Sequence, residues 1–346
     1  MEKRKINIEF IRIFAVFMVI SIHVANVYIR RFGTVPDGDF LVSVIYSSFS
    51  RVCVPLFFMI GGAFALNKEY DGKKYFGKII KAITVLIIWS VIYYLTKNGF
   101  HFEGIGKVIV NSFFNADMTS RHLWYMYPLI AIYIALPFLQ NMCKNLSEKQ
   151  ENLFLILWFC FSGLSYIYIP LASHLAKSNI ALEYPVPLIN SAYYAGYFIA
   201  GHILYKRFKD VSFNKRKNII CIAIYLISTL VTILSTYFIS KALDSFASPP
   251  TWYRGAVVII ASVAVFLLIV ANADKFKSKF ILTVSKHTFG IYLIHMIFLN
   301  IIKKIIVIAD QPAAVAIPVI TVIVFVCSLL SSMLLSKIPF IKKVIF

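Results

Sequence analysis

The chain has 346 residues, of which 60% are hydrophobic and only 14% charged, so it has too few polar side chains to cover a soluble globule of this size. Apolar stretches of roughly 20 residues recur along the sequence, the length of helix that crosses a bilayer core of about 30 Å. The net charge of +20 is spread over short runs between these stretches rather than gathered in one patch. This distribution indicates membrane topology and argues against a nucleic-acid partner.

These stretches predict an all-α polytopic bundle of about ten transmembrane helices in a single integral membrane domain, residues 1–346. Both termini are placed in the cytoplasm, because most of the 35 Lys and Arg residues then lie on that side. We therefore expect a multi-pass protein of a cell membrane, in a bacterium the cytoplasmic membrane, with lipid as a partner. The predicted spans are 6–28, 42–66, 78–97, 122–142, 152–172, 188–205, 218–240, 254–272, 287–306 and 314–336.

The first span could be taken for a signal peptide, but it contains three ionisable residues and lacks a small-residue cleavage site. Such residues inside a span cost several kcal/mol unless they are paired or hydrated, so each is a functional candidate. Arg12 and His23 are eleven residues apart and share one helix face, roughly 16 Å from each other. Glu9 can pair with Arg12 one turn away. His23 can act as a general base and Arg12 can hold an anion, or both can be structural, with Arg12 reaching the headgroups.

Two other histidines in the predicted spans are candidates. His122 precedes Trp124 and Tyr125, which on their own could form an interfacial aromatic belt. His295 lies near mid-membrane depth, where a catalytic and a buried structural role are both open. Because no His or acidic pair has helical metal-ligand spacing, no metal is expected. The five cysteines occur singly and are interpreted as core residues.

The second predicted span and its flanks add further candidates. Arg51 is placed near the outer surface and needs a partner. The Gly61-Gly62-Ala63 run lets another helix or a ligand approach closely, which in membrane proteins most often means helix packing. Lys78 and Lys81 belong to a cytoplasmic basic cluster, which topology alone can explain but which would also attract the phosphates of a cytosolic donor.

Four motifs, in this order, resemble those of the membrane-bound acyltransferase-3 family, which O-acylates cell-surface polysaccharides, peptidoglycan and related glycans. They are Arg12-x10-His23, the Pro- and Phe-containing stretch 54–62, His122-Leu123-Trp124-Tyr125, and the stretch 288–295 that ends in Tyr-Leu-Ile-His. The resemblance implies transfer of an acyl group, typically acetyl from acetyl-CoA or another acyl-CoA, to a hydroxyl acceptor outside the cytoplasm. It makes His23 the base or acyl-transfer residue and has Arg12 help to hold the donor.

On these grounds His23, His122 and His295 are the catalytic candidates, and the donor-binding candidates are Arg12, Glu9, Arg51, Lys78 and Lys81. Two positions depart from the family pattern. Many members have arginines where this chain has Lys78 and Lys81, and lysine lacks the bidentate fork of arginine. A serine common before the helix-two glycine is replaced by Gly61.

Two other functions fit the same residues. In a transporter, His23 and His295 would carry protons along a solute path. The membrane half of certain serine or alanine racemases linked to vancomycin resistance resembles acyltransferase-3 proteins and is often supposed to supply L-serine to a cytoplasmic racemase domain. A chain that ends in the cytoplasm without a soluble domain would suit that half in isolation. In a noncatalytic assembly or polysaccharide-export subunit, the histidines would only pack.

Overall fold

A computed structural model describes residues 6–99, 101–113, 121–164, 187–272 and 279–339, and every regular element among them is helical. Three 3-10 turns cover Arg121–Tyr125, Pro249–Thr251 and Ile308–Asp310, and a π-helical turn covers Phe159–Gly163. The α-helices are α1 Ile6–Ile29, α2 Asp37–Ser50, α3 Cys53–Ala65, α4 Gly72–Lys97, α5 Ile105–Asn111, α6 Met126–Asn145, α7 Glu148–Trp158, α8 Pro187–Phe208, α9 Lys215–Ala242, α10 Ala256–Val270, α11 Lys279–Ser285, α12 Thr288–Ile305 and α13 Ala313–Leu335.

Seven helical segments in the described part of the chain are long and apolar enough to cross a membrane, which confirms the predicted all-α multi-pass fold. The count of about ten spans and the cytoplasmic termini stay predictions. The span predicted at 152–172 runs past residue 164 and out of the described residues. The seven segments are Ile8–Ile29, Asp37–Ala65, Gly72–Lys97, Arg121–Asn145, Lys215–Ala242, Thr288–Ile305 and Ala313–Leu335.

The second span differs from its prediction in its start and in its continuity. It begins at Asp37 rather than residue 42, because acidic residues in a first turn favour a helix N-terminus. It is interrupted after Ser50, and Pro55 then lies in the first turn of α3, where its missing N–H costs no hydrogen bond. Arg51 therefore lies at a turn inside a 29-residue segment. Its placement near the outer surface stays a prediction.

The two glycines of α3 face α8, and the backbones of these two helices approach closely there. A Cβ atom added to Gly62 would lie 1.6 Å from the carbonyl oxygen of Phe198, and one added to Gly201 would lie 2.1 Å from that of Met59. The Gly-Gly-Ala run thus serves helix packing. A Cβ atom at Gly61 would lie 2.8 Å from the ring of Phe198, so this ring occupies the space that a serine at position 61 would need.

Helix α1 lies at the centre of the bundle and contacts α2, α3, α11, α12 and α13. Its C-terminal end is anchored by Tyr28, whose hydroxyl donates hydrogen bonds of 2.7 and 2.9 Å to the carbonyl oxygens of Ile308 and Gln311. Asp39 of α2 accepts a 2.7 Å hydrogen bond from the backbone N–H of Ala313 and so caps α13. These contacts hold α1 in a fixed position between the other helices.

Candidate functional site

A cavity of about 590 Å³ lies against α1 and is lined by most of the residues that the sequence singled out. It is lined by Arg12, His23 and Asn26 of α1 and by Arg30, which directly follows α1. The first and last of these are eighteen residues apart, which corresponds to about 27 Å along a helix axis. The cavity therefore follows α1 over most of its length, and α3, α4, α6, α12 and the turn 121–125 supply its other walls.

Three histidines from separate elements meet beside this cavity. The ring centroid of His295 lies 5.2 Å from that of His23 and 5.0 Å from that of His122, and the latter two are 6.3 Å apart. His23 and His122 line the cavity, whereas His295 is 0% exposed and lies behind them. The three predicted catalytic residues thus form one cluster.

The hydrogen bonding of His295 fixes which of its nitrogens carries the proton. Nδ1 lies 2.6 Å from the carbonyl oxygen of Tyr292, and a carbonyl can only accept, so we assign the proton to Nδ1. Nε2 then has a lone pair, and this buried atom has no hydrogen-bond partner among the described residues. His295 is therefore an oriented neutral imidazole with a nitrogen that can take up a proton.

Two tyrosines fix the elements that carry the cluster. The Tyr292 hydroxyl donates a 2.7 Å hydrogen bond to the carbonyl oxygen of His122, and the Tyr93 hydroxyl donates one of 2.7 Å to that of Leu293. The Tyr93 ring centroid is also 4.8 Å from that of His122. Tyr292 lies within the fourth family-like motif, but Tyr93 was missed, because nothing in the apolar sequence of α4 distinguishes it from a packing residue.

The cavity wall carries positive charge and, among its described lining residues, no Asp or Glu. Glu9 does not line it; its carboxylate is buried and lies 3.4 Å from the Arg12 guanidinium, which confirms the predicted pairing. Two of the lining arginines, Arg30 and Arg121, were not among the predicted site residues, because they read as ordinary loop charges. The six cationic lining residues are Arg12, Lys78 and Lys81 toward the beginnings of α1 and α4, and Arg30, Arg51 and Arg121 toward the opposite end.

Aromatic side chains form the wall around Arg51. Its guanidinium carbon lies 5.7 Å from the centre of the Tyr253 ring, and its NH2 group donates a 2.8 Å hydrogen bond to Ser47. Tyr253 is stacked on Trp124 with ring centroids 5.8 Å apart. Because Trp124 and Tyr125 both line the cavity, they do more than form the interfacial belt that their sequence position allowed.

A second, separate cavity of about 520 Å³ lies near the C-terminal ends of α3, α6 and α8. Its lining includes three lysines, one glutamate and the buried His202, whose Nδ1 has no hydrogen-bond partner among the described residues. At its edge Glu151 is 2.9 Å from Lys206 and 2.7 Å from Arg207. Burial opposes ionisation of Glu151, but hydrogen bonds from these two cations outweigh it and lower the pKa of the carboxyl.

The five cysteines are free. Cys53, Cys143 and Cys221 are buried, as predicted for core residues, whereas Cys160 and Cys327 are only half-buried. Within the described ranges, no group of three or more His, Cys, Asp or Glu side chains is arranged to hold a metal ion.

Comparison with known proteins gives a relative and a family. Over 133 residues the chain is 32% identical to an amino-acid racemase of Enterococcus faecalis, a match that covers 36% of this chain and only 18% of the racemase. No solved structure matches the chain. A family model described as an acyltransferase domain matches residues 5–337. With its multi-pass helical fold and its histidine-lined cavity, the chain therefore belongs to the acyltransferase-3 family of membrane acyltransferases.

Proposed function

We propose that this protein transfers an acyl group, in the first instance acetyl, from a cytosolic acyl-CoA to a hydroxyl group at the outer face of a cell membrane. The acceptor would be a cell-wall or surface glycan. The observation that carries the proposal is one cavity along α1, with cations at both ends, two histidines in its wall between them and a third directly behind these two. A donor and an acceptor that approach from opposite sides need such a passage. The family supplies the reaction class.

In the proposed reaction, His23 takes the proton of the acceptor hydroxyl while the hydroxyl oxygen attacks the thioester carbonyl. The ester C–O bond forms, the C–S bond breaks, and the proton leaves with the CoA thiol. His122 and His295 lie beside His23, with ring centroids 6.3 and 5.2 Å away. They hold its ring in a low-dielectric site, and the unpartnered nitrogen of His295 can share the proton.

The donor would bind from the end of the cavity that carries Arg12, Lys78 and Lys81. Lysines offer its phosphates point charges, and Arg12, oriented by Glu9, offers a planar donor group nearer the histidines. Arg12 and His23 are about 16 Å apart along α1. The flexible pantetheine arm of CoA would span this distance and bring the thioester to His23.

The direct test is acyl transfer by the purified protein in lipid nanodiscs, with radiolabelled acetyl-CoA and cell-wall glycan fragments. We expect His23→Ala to lower the transfer rate by at least about a hundredfold, the usual contribution of a general base, and to leave acetyl-CoA binding unchanged in calorimetry. The matched control is His101→Ala, since His101 is exposed and outside the cavity. Full transfer by the His23 variant would refute the proposal.

The partial match to an amino-acid racemase keeps transport of L-serine, for a racemase domain, as a second candidate. Proteoliposomes that hold the protein would then take up labelled serine, and acetyl-CoA would not bind. Uptake without thioester binding would replace the acyltransferase proposal.

A further inference from the structure

Arg51 is a cation inside a membrane-length helical segment with no counterion in the described structure. It lies at the turn between α2 and α3 and forms no ion pair with any described residue. Its Nε atom is buried and has no hydrogen-bond partner there. Its polar contact is one hydrogen bond to Ser47. An ionised group held in this way is costly unless an anion joins it.

Three acidic residues at this end of the bundle are committed elsewhere. Asp37 accepts hydrogen bonds from Lys241 and Tyr237, and Asp39 caps α13. Asp310 lies 4.0 Å from Arg31. Because the described cavity lining contains no carboxylate either, this position suits the anionic group of a bound molecule.

The wall beside Arg51 is suited to a particular kind of molecule. Arg30 and Arg121 line the same end of the cavity, and guanidinium groups bind carboxylate and phosphate through paired hydrogen bonds. Trp124 and Tyr253 present stacked aromatic rings next to them, which can pack against the apolar face of a sugar or a short carbon chain. The phosphates of the donor have their own cations, Lys78 and Lys81, at the opposite end.

We propose that the acceptor is an anionic hydroxyl compound, and that Arg51 binds its carboxylate or phosphate so that its hydroxyl reaches His23. This inference rests on the proposed acyl transfer and moves Arg51 from the donor side, where sequence analysis placed it, to the acceptor side. It makes Arg51 a substrate-binding residue that selects charged acceptors over neutral ones of the same shape.

The experiment compares pairs of acceptors that differ in one anionic group: N-acetylmuramic acid with N-acetylglucosamine, glycerol 3-phosphate with glycerol, and L-serine with L-serinamide. Binding and transfer from labelled acetyl-CoA are measured in phosphatidylcholine nanodiscs. We expect the wild type to prefer the anionic member of at least one pair by about tenfold or more, the usual effect of a charge-assisted hydrogen bond. Arg51→Gln should remove this preference, and Arg51→Lys should retain part of it.

Arg31→Gln is the matched control, because Arg31 is an exposed arginine next to Arg30 that does not line the cavity. It should keep the wild-type preference. Thermal unfolding and acetyl-CoA binding of each variant verify that the fold and the donor site are intact. Should Arg51→Gln fail to fold, the Arg51→Lys variant and the wild-type pair ratios still decide the question.

Several results would overturn the inference. If the wild type uses neutral and anionic acceptors equally well, the protein still transfers acyl groups but has no anion site. The same conclusion follows if Arg51→Gln keeps the wild-type preference for anionic acceptors. Binding of no probe would also remove it. If the preference disappears only when phosphatidylglycerol is added, Arg51 binds an anionic lipid headgroup instead. Arg51-dependent binding of anionic probes without any transfer would support the anion site and refute the proposed reaction.

Discussion

Replacing each of three glycines by alanine should change the stability of the fold by different amounts, because the three positions differ in how closely another helix packs against them. At Gly62 the new Cβ atom would lie 1.6 Å from a backbone oxygen of α8, whereas real Cβ contacts stay above 3.0 Å. A backbone atom cannot rotate away, so α3 and α8 must separate. At Gly61 the nearest atom, at 2.8 Å, belongs to the ring of Phe198. At Gly77 nothing lies within 4 Å.

The expected energies follow from these distances. Forced separation of packed helices at Gly62→Ala should cost about 3 kcal/mol or more, the upper part of the range for overpacked cores. Gly61→Ala should cost about 1 kcal/mol, because the Phe198 ring is fully buried and can shift only slightly. Gly77→Ala should stabilise α4 by up to about 1 kcal/mol, since alanine is the better helix former.

The order of stability of the variants can be measured by thermal unfolding in nanodiscs, with intrinsic fluorescence as the signal. Gly77→Ala should melt at or above the wild type, Gly61→Ala slightly below it, and Gly62→Ala lowest, by roughly 6 °C or more. Because Gly61 lines the cavity, the separation of α3 from α8 should also weaken donor binding in Gly62→Ala. A Gly62→Ala protein that melts like the wild type would show that α3 and α8 are not this close.

The other predictions concern charge and proton transfer. His295→Gln keeps a polar side chain but lacks the lone pair of a neutral imidazole, so transfer should fall about tenfold or more while acetyl-CoA binding is retained; an unchanged rate would assign His295 a packing role. Tyr93→Phe removes a buried hydrogen bond and should lower the unfolding temperature by a few degrees, a loss of about 1 kcal/mol; no change in melting would contradict this. The lowered pKa of Glu151 means that its carboxylate stabilises the folded state above the ordinary value of 4.5 and that this stability is lost as the pH falls through the lower folded-state pKa. Glu151→Gln should therefore melt below the wild type at pH 7 and together with it in acid, and a difference independent of pH would refute the assignment.

The helices themselves could be predicted from the sequence, because apolar length is what a bilayer selects. The start of α2 could not, since Asp37 and Asp39 look like loop residues until their partners on α9 and α13 are known. The turn at Arg51 was also missed, because an apolar run gives no sign of where a helix bends.

The candidate site also has features that the sequence could predict and features that it could not. The common face of Arg12 and His23 follows from the geometry of a single helix. The proximity of His122 and His295 to His23 depends on the tertiary structure. The motif resemblance suggested it only because all three histidines belong to one family pattern. The cavity-lining role of Arg30 and Arg121 had no signal in the sequence, since terminal and loop arginines are usual in membrane proteins.

The charge of the cavity wall has a consequence for the cell as well as for the reaction. If the cavity along α1 opens on both sides and fills with water, it could let protons and metal cations leak and dissipate the membrane potential. The six cationic lining residues and the absence of lining carboxylates among the described residues raise an electrostatic barrier to such ions, as arginine does in water-conducting pores. The same charges that would attract anionic substrates thus make a hydrated passage compatible with an energised membrane.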